Sequence, residues 1–406
     1  MSRLEPTNEA SAMQKEISAI AEQGGGTTKV EQLIQQYCPD GVACKRLKDV
    51  CSDFIVPMRD RPKVFDGDIP WCRIEDKQGQ FFNGSLSGLG VSEKVIKQMN
   101  LKVFPTGTVI CSCSASLGTY AINTRPLITN QTFIGIVCGE SLFNKYLLYF
   151  METQTSKLIS LSNSGTIPYV SRKKFEELEI PVPPLPVQEE IVRILDTFAE
   201  LQAELQAELQ KRLQQYEYYR DKLLSFSDLS NWGQEVSVEW KKLGELGRIF
   251  SGKNKQKKKE GAYPVYGSTG IIAYCDEFKY DKTLILVARV GANAGYTHIA
   301  SGQYDVSDNT LIIDLDKKNV INKYIFYILV NINLNRYSKG GGQPLITAGE
   351  IKEITIPVPP LSEQQRIVDI LDRFNTLTTD ITAGLPAEIE ARRKQYEYYR
   401  DRLLTF

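Results

Sequence analysis

Five lysines fall within seven residues, at Lys253, Lys255, Lys257, Lys258 and Lys259, and Tyr263 and Tyr266 follow at once. A lysine run beside aromatic rings suits contact with a phosphate backbone, whose dense negative charge rewards neutralisation. Arg59, Arg61 and Lys63 occupy a corresponding place early in the chain, with Arg73 and Lys77 just beyond. Two small polar loops containing glycine, Ser114–Tyr120 and Arg289–Tyr296, each follow an apolar strand-like run. Ser114, Ser116, Tyr120, Arg289, Asn293 and Tyr296 are side chains of the types that read base edges from a rigid strand end. Thr166, Lys339 and Gln343, in or beside a second pair of glycine-containing segments, complete the candidate contacts. Taken singly, each loop reads equally well as a plain β-turn.

Other chemistries fare worse. Gly247 to Asn254 approaches a phosphate-cradling loop, but Asn254 replaces the magnesium-binding hydroxyl and a lysine run replaces the helix. Glu277-Phe-Lys279 and Glu350-Ile-Lys352 have a nuclease-like order that is common by chance. The single histidine, His298, argues against histidine catalysis or a histidine metal site. No methyl-donor loop is visible, so the chain is expected to be non-catalytic, with no metal or cofactor of its own. The eight cysteines form no C-x-x-C pair and read as reduced core thiols. No apolar run approaches membrane-spanning length and no signal-peptide pattern opens the chain, which leads to the expectation of a cytoplasmic protein.

The formal net charge is zero, but it is unevenly spread. Residues 41–180 carry 17 basic and 13 acidic side chains, and residues 240–356 carry 17 and 11. The intervening stretches are acidic. Such a field steers a polyanion to two places rather than along the whole chain.

Those two basic regions are punctuated by a repeat. Thirteen of the nineteen residues 180–198 recur at 356–374, and nine of the eleven residues 216–226 recur at 396–406. Each copy opens on Ile-Pro-Val-Pro-Pro, which forbids helix before about Val187. Apolar residues then follow at a mean spacing of 3.6, from Val187, Ile191, Ile194 and Phe198 to Leu223, the stripe of one long helix. The second copy has the same stripe, with a kink or break expected at Gly384 and Pro386. The two helices are expected to pack on each other as a coiled coil. Within the basic regions, Ile69-Pro70-Trp71 echoes Tyr263-Pro264-Val265, Asn130-Gln131 echoes Asp308-Asn309, and short apolar helices near 144–153 and 322–332 echo each other. The expected order is a flexible N-terminal extension (1–28), a first domain (29–180), a first helix (181–226), a second domain (227–356) and a second helix (357–406).

Two dissimilar domains, each followed by I-P-V-P-P…Q-x-x-I-V-x-I-L-D-x-F…Q-Y-x-Y-Y-R-D-x-L-L-x-F, closely resemble the specificity subunit of type I restriction–modification systems. The resemblance implies an α+β fold: two mixed α/β target recognition domains separated by two long antiparallel helices, with an internal pseudo-twofold repeat. It implies that double-stranded DNA is read as a bipartite site, one half by each domain. It further implies assembly with two modification (methyltransferase) subunits and two restriction subunits, which would use S-adenosylmethionine, ATP and Mg2+. The threefold Ala-Glu-Leu-Gln at 199–210 resembles the tetrads that set spacer length in one branch of the family. Residues 1–28 do not match the family pattern. The competing reading is a coiled-coil adaptor that binds proteins only.

Overall fold

The computed structural model describes residues 29–163, 168–226, 237–254, 259–316, 318–340, 343–380 and 384–406. They form two compact units: residues up to Leu205 with Ile389–Phe406, and Gln206–Glu388. Among the described residues no helix is long and apolar enough to cross a membrane.

In the first unit, four antiparallel strands lie in the order Cys51–Ile55, Phe133–Cys138, Val109–Ser112, Tyr120–Asn123. Two short strands, Phe81–Phe82 and Lys77–Gln78, extend the last edge. The central strands are apolar on both faces because both are covered. Val109, Cys111, Ile134 and Ile136 pack toward the helix Asn144–Thr153, whereas Ile110, Ala121 and Phe133 pack with Phe82 and Phe104 on the other side. A separate parallel pair sets Trp71 and Cys72 beside Ile128 and Thr129.

The second unit repeats this topology. Its strands run in the order Gly247–Ser251, Thr310–Leu315, Leu284–Ala288, Thr297–Ala300. Gly135 stands between Ile55 and Ile110, and Ile313 stands between Ile249 and Ile285. The parallel pair recurs as Val265 and Tyr266 beside Asp305 and Val306. The echo of the two Pro-centred segments therefore corresponds to one strand used twice. The expected apolar helices are Asn144–Thr153 and Asn322–Ile332.

The repeated motif residues are polar anchors of this scaffold. Gln188 is fully buried; its amide accepts from the Phe143 N–H at 2.8 Å and donates to the carbonyls of Ser141 and Pro183. Gln364, also fully buried, accepts from the Ile321 N–H at 2.9 Å and donates to Asn319 and Pro359. Tyr146 and Tyr324 donate to the carbonyls of Pro181 and Pro357, both at 2.9 Å. Asp196 accepts from Lys145 and Tyr149 at 2.6 and 2.7 Å; Asp372 accepts from Lys323 and Tyr327 at 2.7 and 2.5 Å. Buried polar groups satisfied this completely fix one geometry for strand, turn and helix.

The first long helix runs without interruption over Leu185–Ser225. The second is broken into Leu361–Thr379 and Leu385–Leu403, with Gly384 just before the second piece and Pro386 in its first turn. The apolar stripe is not one uniform seam. Val187, Ile191, Ile194, Phe198 and Leu201 are buried in the core of the first unit, and Leu223 and Leu224 in that of the second. Leu205, Leu209 and Leu213 between them are half-buried. In the first unit Phe198 stacks on Tyr399 at 5.4 Å and lies 6.5 Å from Tyr396. In the second, Phe374 lies 5.9 Å from Tyr219 and 6.2 Å from Tyr216. The start of each repeated helix thus meets the end of the other through the same three aromatic positions.

Candidate nucleic-acid interface

The strand order gathers distant loops at one end of each sheet. In the first unit the chain leaves Cys51–Ile55, turns from Ser112 to Tyr120, and enters Phe133 at that same end. Arg59, Arg61, Trp71, Thr129, Asn130 and Gln131 line a cleft of about 190 Å³ there. The Arg61 guanidinium sits over the Trp71 ring at 4.9 Å and near Phe65 at 5.6 Å; Arg73 approaches the same Trp71 at 5.9 Å. Stacking on a buried ring holds two cations in place; Arg73 also lies 3.8 Å from the Glu75 carboxylate. Lys63 is exposed on the same loop. The turn after Ser112 is tied to its neighbours: Cys113 N–H donates to the Thr132 carbonyl at 2.8 Å, and Ser114 bridges Tyr169. Ser114 is half-buried and Ser116 exposed. Gly118 has φ +95° and a Cβ there would meet Thr155 at 2.9 Å, so this turn admits only glycine.

The second unit brings together the counterparts. Lys253 follows Gly247–Ser251 after one glycine, and its N–H donates to the Val306 carbonyl at 3.1 Å. Asn254 holds Asp305 through its side chain at 2.8 Å and accepts the Asp308 N–H through its carbonyl. Lys253 and Lys259 are exposed. Arg289 N–H donates to the Asn309 carbonyl, and Ile346 N–H donates to the Arg289 carbonyl, both at 2.9 Å. Gln343 and Lys339 border this last segment; Lys339 is ion-paired to Glu350 at 2.8 Å and, through that bond, holds the Glu350 carboxyl below its usual range. Glu350 also caps the helix at Thr347, which explains the Glu-Ile-Lys order structurally. Asn293 and Tyr296 are exposed on the loop after Arg289. Tyr296 stacks on His298 at 5.8 Å, and His298 lies 5.7 Å from Tyr266. Burial lowers the His298 pKa, so the imidazole is neutral and serves as a ring in this stack.

Two expected contacts are not brought to these surfaces. Tyr120 is buried, with its hydroxyl 3.1 Å from the Thr155 Oγ1, because its sheet is covered on both faces. Lys77 lies on the opposite edge strand, where its charge acts on Glu152. Thr166, Lys255, Lys257 and Lys258 lie outside the described residues. The sequence reading missed Trp71 as a platform and Gln131 and Asn309 as exposed turn amides; the Asn130-Gln131 and Asp308-Asn309 echo was the available signal. Gly247–Ser251 is a strand, and the next element among the described residues is the strand Tyr263–Gly267 rather than a helix, which removes the phosphate-loop resemblance. Cys72, Cys111, Cys113 and Cys275 are buried, and burial pushes the Cys72 thiol up to about 12.

Known proteins share this arrangement. The family model for the type I restriction modification DNA specificity domain matches twice, at residues 39–215 and 235–391. The chain is 33% identical over 341 residues to the EcoprrI type I restriction enzyme specificity subunit of Escherichia coli, covering 78% of this chain and 82% of that one. It is 37% identical over 294 residues to the Escherichia coli EcoR124I/EcoR124II specificity subunit, covering 64% and 70%. The S subunit structure from M. genitalium matches with a TM-score of 0.57 at 16% identity, covering 90% of this chain and 96% of that one. A chain from a structure on complex assembly and conformational transition of the type I R-M system matches with a TM-score of 0.60 at 18% identity, covering 90% and 98%. With two family matches, one over each domain and the start of the helix that follows it, the chain belongs to the specificity subunits of type I restriction–modification systems.

Proposed function

We propose that this chain is the DNA-reading subunit of a type I restriction–modification complex, each domain reading one half of a bipartite, asymmetric site. The observation that carries the reading is the contrast within each unit. The anchors Gln188, Tyr146 and Asp196, the first two buried, recur as Gln364, Tyr324 and Asp372, while the loops at the end of each sheet carry different cations and amides. A fixed scaffold with interchangeable loops suits a reader of two unlike half-sites. Phosphate contacts fall to Arg59, Arg61, Lys63 and the lysine run, and base contacts to the turns between them.

The chemistry belongs to partners: two modification subunits methylating adenine with S-adenosylmethionine, and two restriction subunits using ATP and Mg2+. A repeated surface supports docking of one partner twice. Tyr218 and Tyr398, at matching positions of Gln-Tyr-Glu-Tyr-Tyr-Arg-Asp, are 61% and 59% exposed. Large rings kept at the surface in both copies point to a contact rather than to the core.

Exchanging residues 45–180 for the corresponding domain of another specificity subunit tests the reading. Methylation mapping of the reassembled complex should show one half-site replaced and the other unchanged. Change in both halves, or in neither, would refute it.

A further inference from the structure

Two turns have more in common than the loops around them. Gln131 stands two residues before Phe133, which pairs with Ser112; Asn309 stands two residues before Leu311, which pairs with Val287. Because the two sheets share strand order and register, these are the same position in the two domains. Both turns are held rigidly through their backbones. Asn130 Oδ1 accepts from the Thr132 N–H and hydroxyl at 3.3 and 2.6 Å, and the Gln131 carbonyl accepts the Cys113 thiol at 3.8 Å. Asn309 N–H donates to Ser307 Oγ at 3.3 Å, and its carbonyl accepts the Arg289 N–H. Both side chains are exposed, and neither makes a hydrogen bond among the described residues. Each stands beside its domain's cations: Gln131 lines the cleft with Arg59 and Arg61, and Asn309 lies one residue from Asp308, which is bonded to the residue following Lys253.

A carboxamide offers one acceptor and one donor side by side. In the major groove only adenine presents the complementary pair, N6–H and N7, on a single base. We propose that Gln131 and Asn309 are specificity-determining residues, each taking an adenine of its own half-site. The inference rests on the DNA-reading function proposed above. The rigid turn supplies the fixed origin that bidentate reading requires, and the flanking arginines and lysines hold the phosphates on either side.

The test uses the full chain assembled with its modification subunits, with methylation and binding measured on a library of duplexes. Gln131→Ala should relax discrimination at one adenine of one half-site about tenfold or more, and Asn309→Ala should do so at one adenine of the other. Gln131→Glu, with the same shape, should move that preference toward cytosine, whose N4 amino group donates to a carboxylate. Alanine variants that keep full discrimination at every position, or that weaken all sequences equally, would overturn the assignment while leaving DNA reading intact. A wild-type complex with no sequence preference would instead refute the function on which it rests.

Discussion

The two domains keep the same buried polar anchors and differ at almost every loop tip. The first holds its cations on an aromatic platform, with Arg61 and Arg73 both on Trp71. The second has Tyr266 at the matching register position, paired with Val306 as Trp71 is with Ile128, and carries its charge in the lysine-rich sequence 253–259. A buried amide with three partners tolerates no substitution without leaving groups unpaired, whereas an exposed side chain at a turn is free to change. The division between what is retained and what diverges therefore follows burial and hydrogen bonding.

That comparison predicts equal damage at equivalent anchors. Gln188→Ala and Gln364→Ala each strand a buried N–H and two carbonyls, and each should cost about 3 kcal/mol in its own unit. Hydrogen exchange of the full chain would report the loss unit by unit; a mild effect at either site would break the equivalence.

An unequal effect, smaller in the second unit, is expected at the aromatic triads. Phe198 is 1% exposed, whereas Phe374 is half-buried. Phe198→Ala should cost about 3 kcal/mol and Phe374→Ala about half of that, by the apolar surface each loses. Denaturant unfolding followed by unit-resolved exchange measures both, and equal losses would show that the two triads are packed alike.

The smallest effect is confined to one domain. Tyr396 donates to Glu152 at 2.9 Å, and burial raises the Glu152 pKa against the opposing influence of Tyr396, Arg400 and Lys77. Val330 holds the matching place in the second unit, counting from Asn144 and Asn322. A carboxyl raised on folding favours the native state below its ordinary pKa, and that contribution is lost as pH rises through the folded value. Glu152→Gln should therefore stabilise the first unit modestly at neutral pH, with the gain vanishing in acid, and leave the second unchanged. A loss of stability at neutral pH would mean that the ionised carboxylate is the stabilising form.

Much of the scaffold was legible because its signals are local. Proline excludes helix, a 3.6-residue period marks one helical stripe, and the internal repeat announced two domains each leading into a helix. The helices Asn144–Thr153 and Asn322–Ile332 and the break near Gly384 followed from the same rules. The site was legible only in part. Arg59, Arg61 and Lys253 stand out in the sequence by their charge, whereas Gln131 and Asn309 carry only the faint signal of the Asn130-Gln131 and Asp308-Asn309 echo until the sheet places them at equivalent turns. Tyr120 was misplaced because its strand is buried on both faces, so alternation gave no inside and outside. The long stripe likewise could not say which of its leucines face a domain core and which are half-exposed. The sequence by itself determined which segments are helix and which are repeated, since those depend on neighbours three or four residues away. Only the tertiary structure decided which loops meet, because strand pairing brings Ile55, Ser112 and Phe133 to one end of a sheet across many intervening residues.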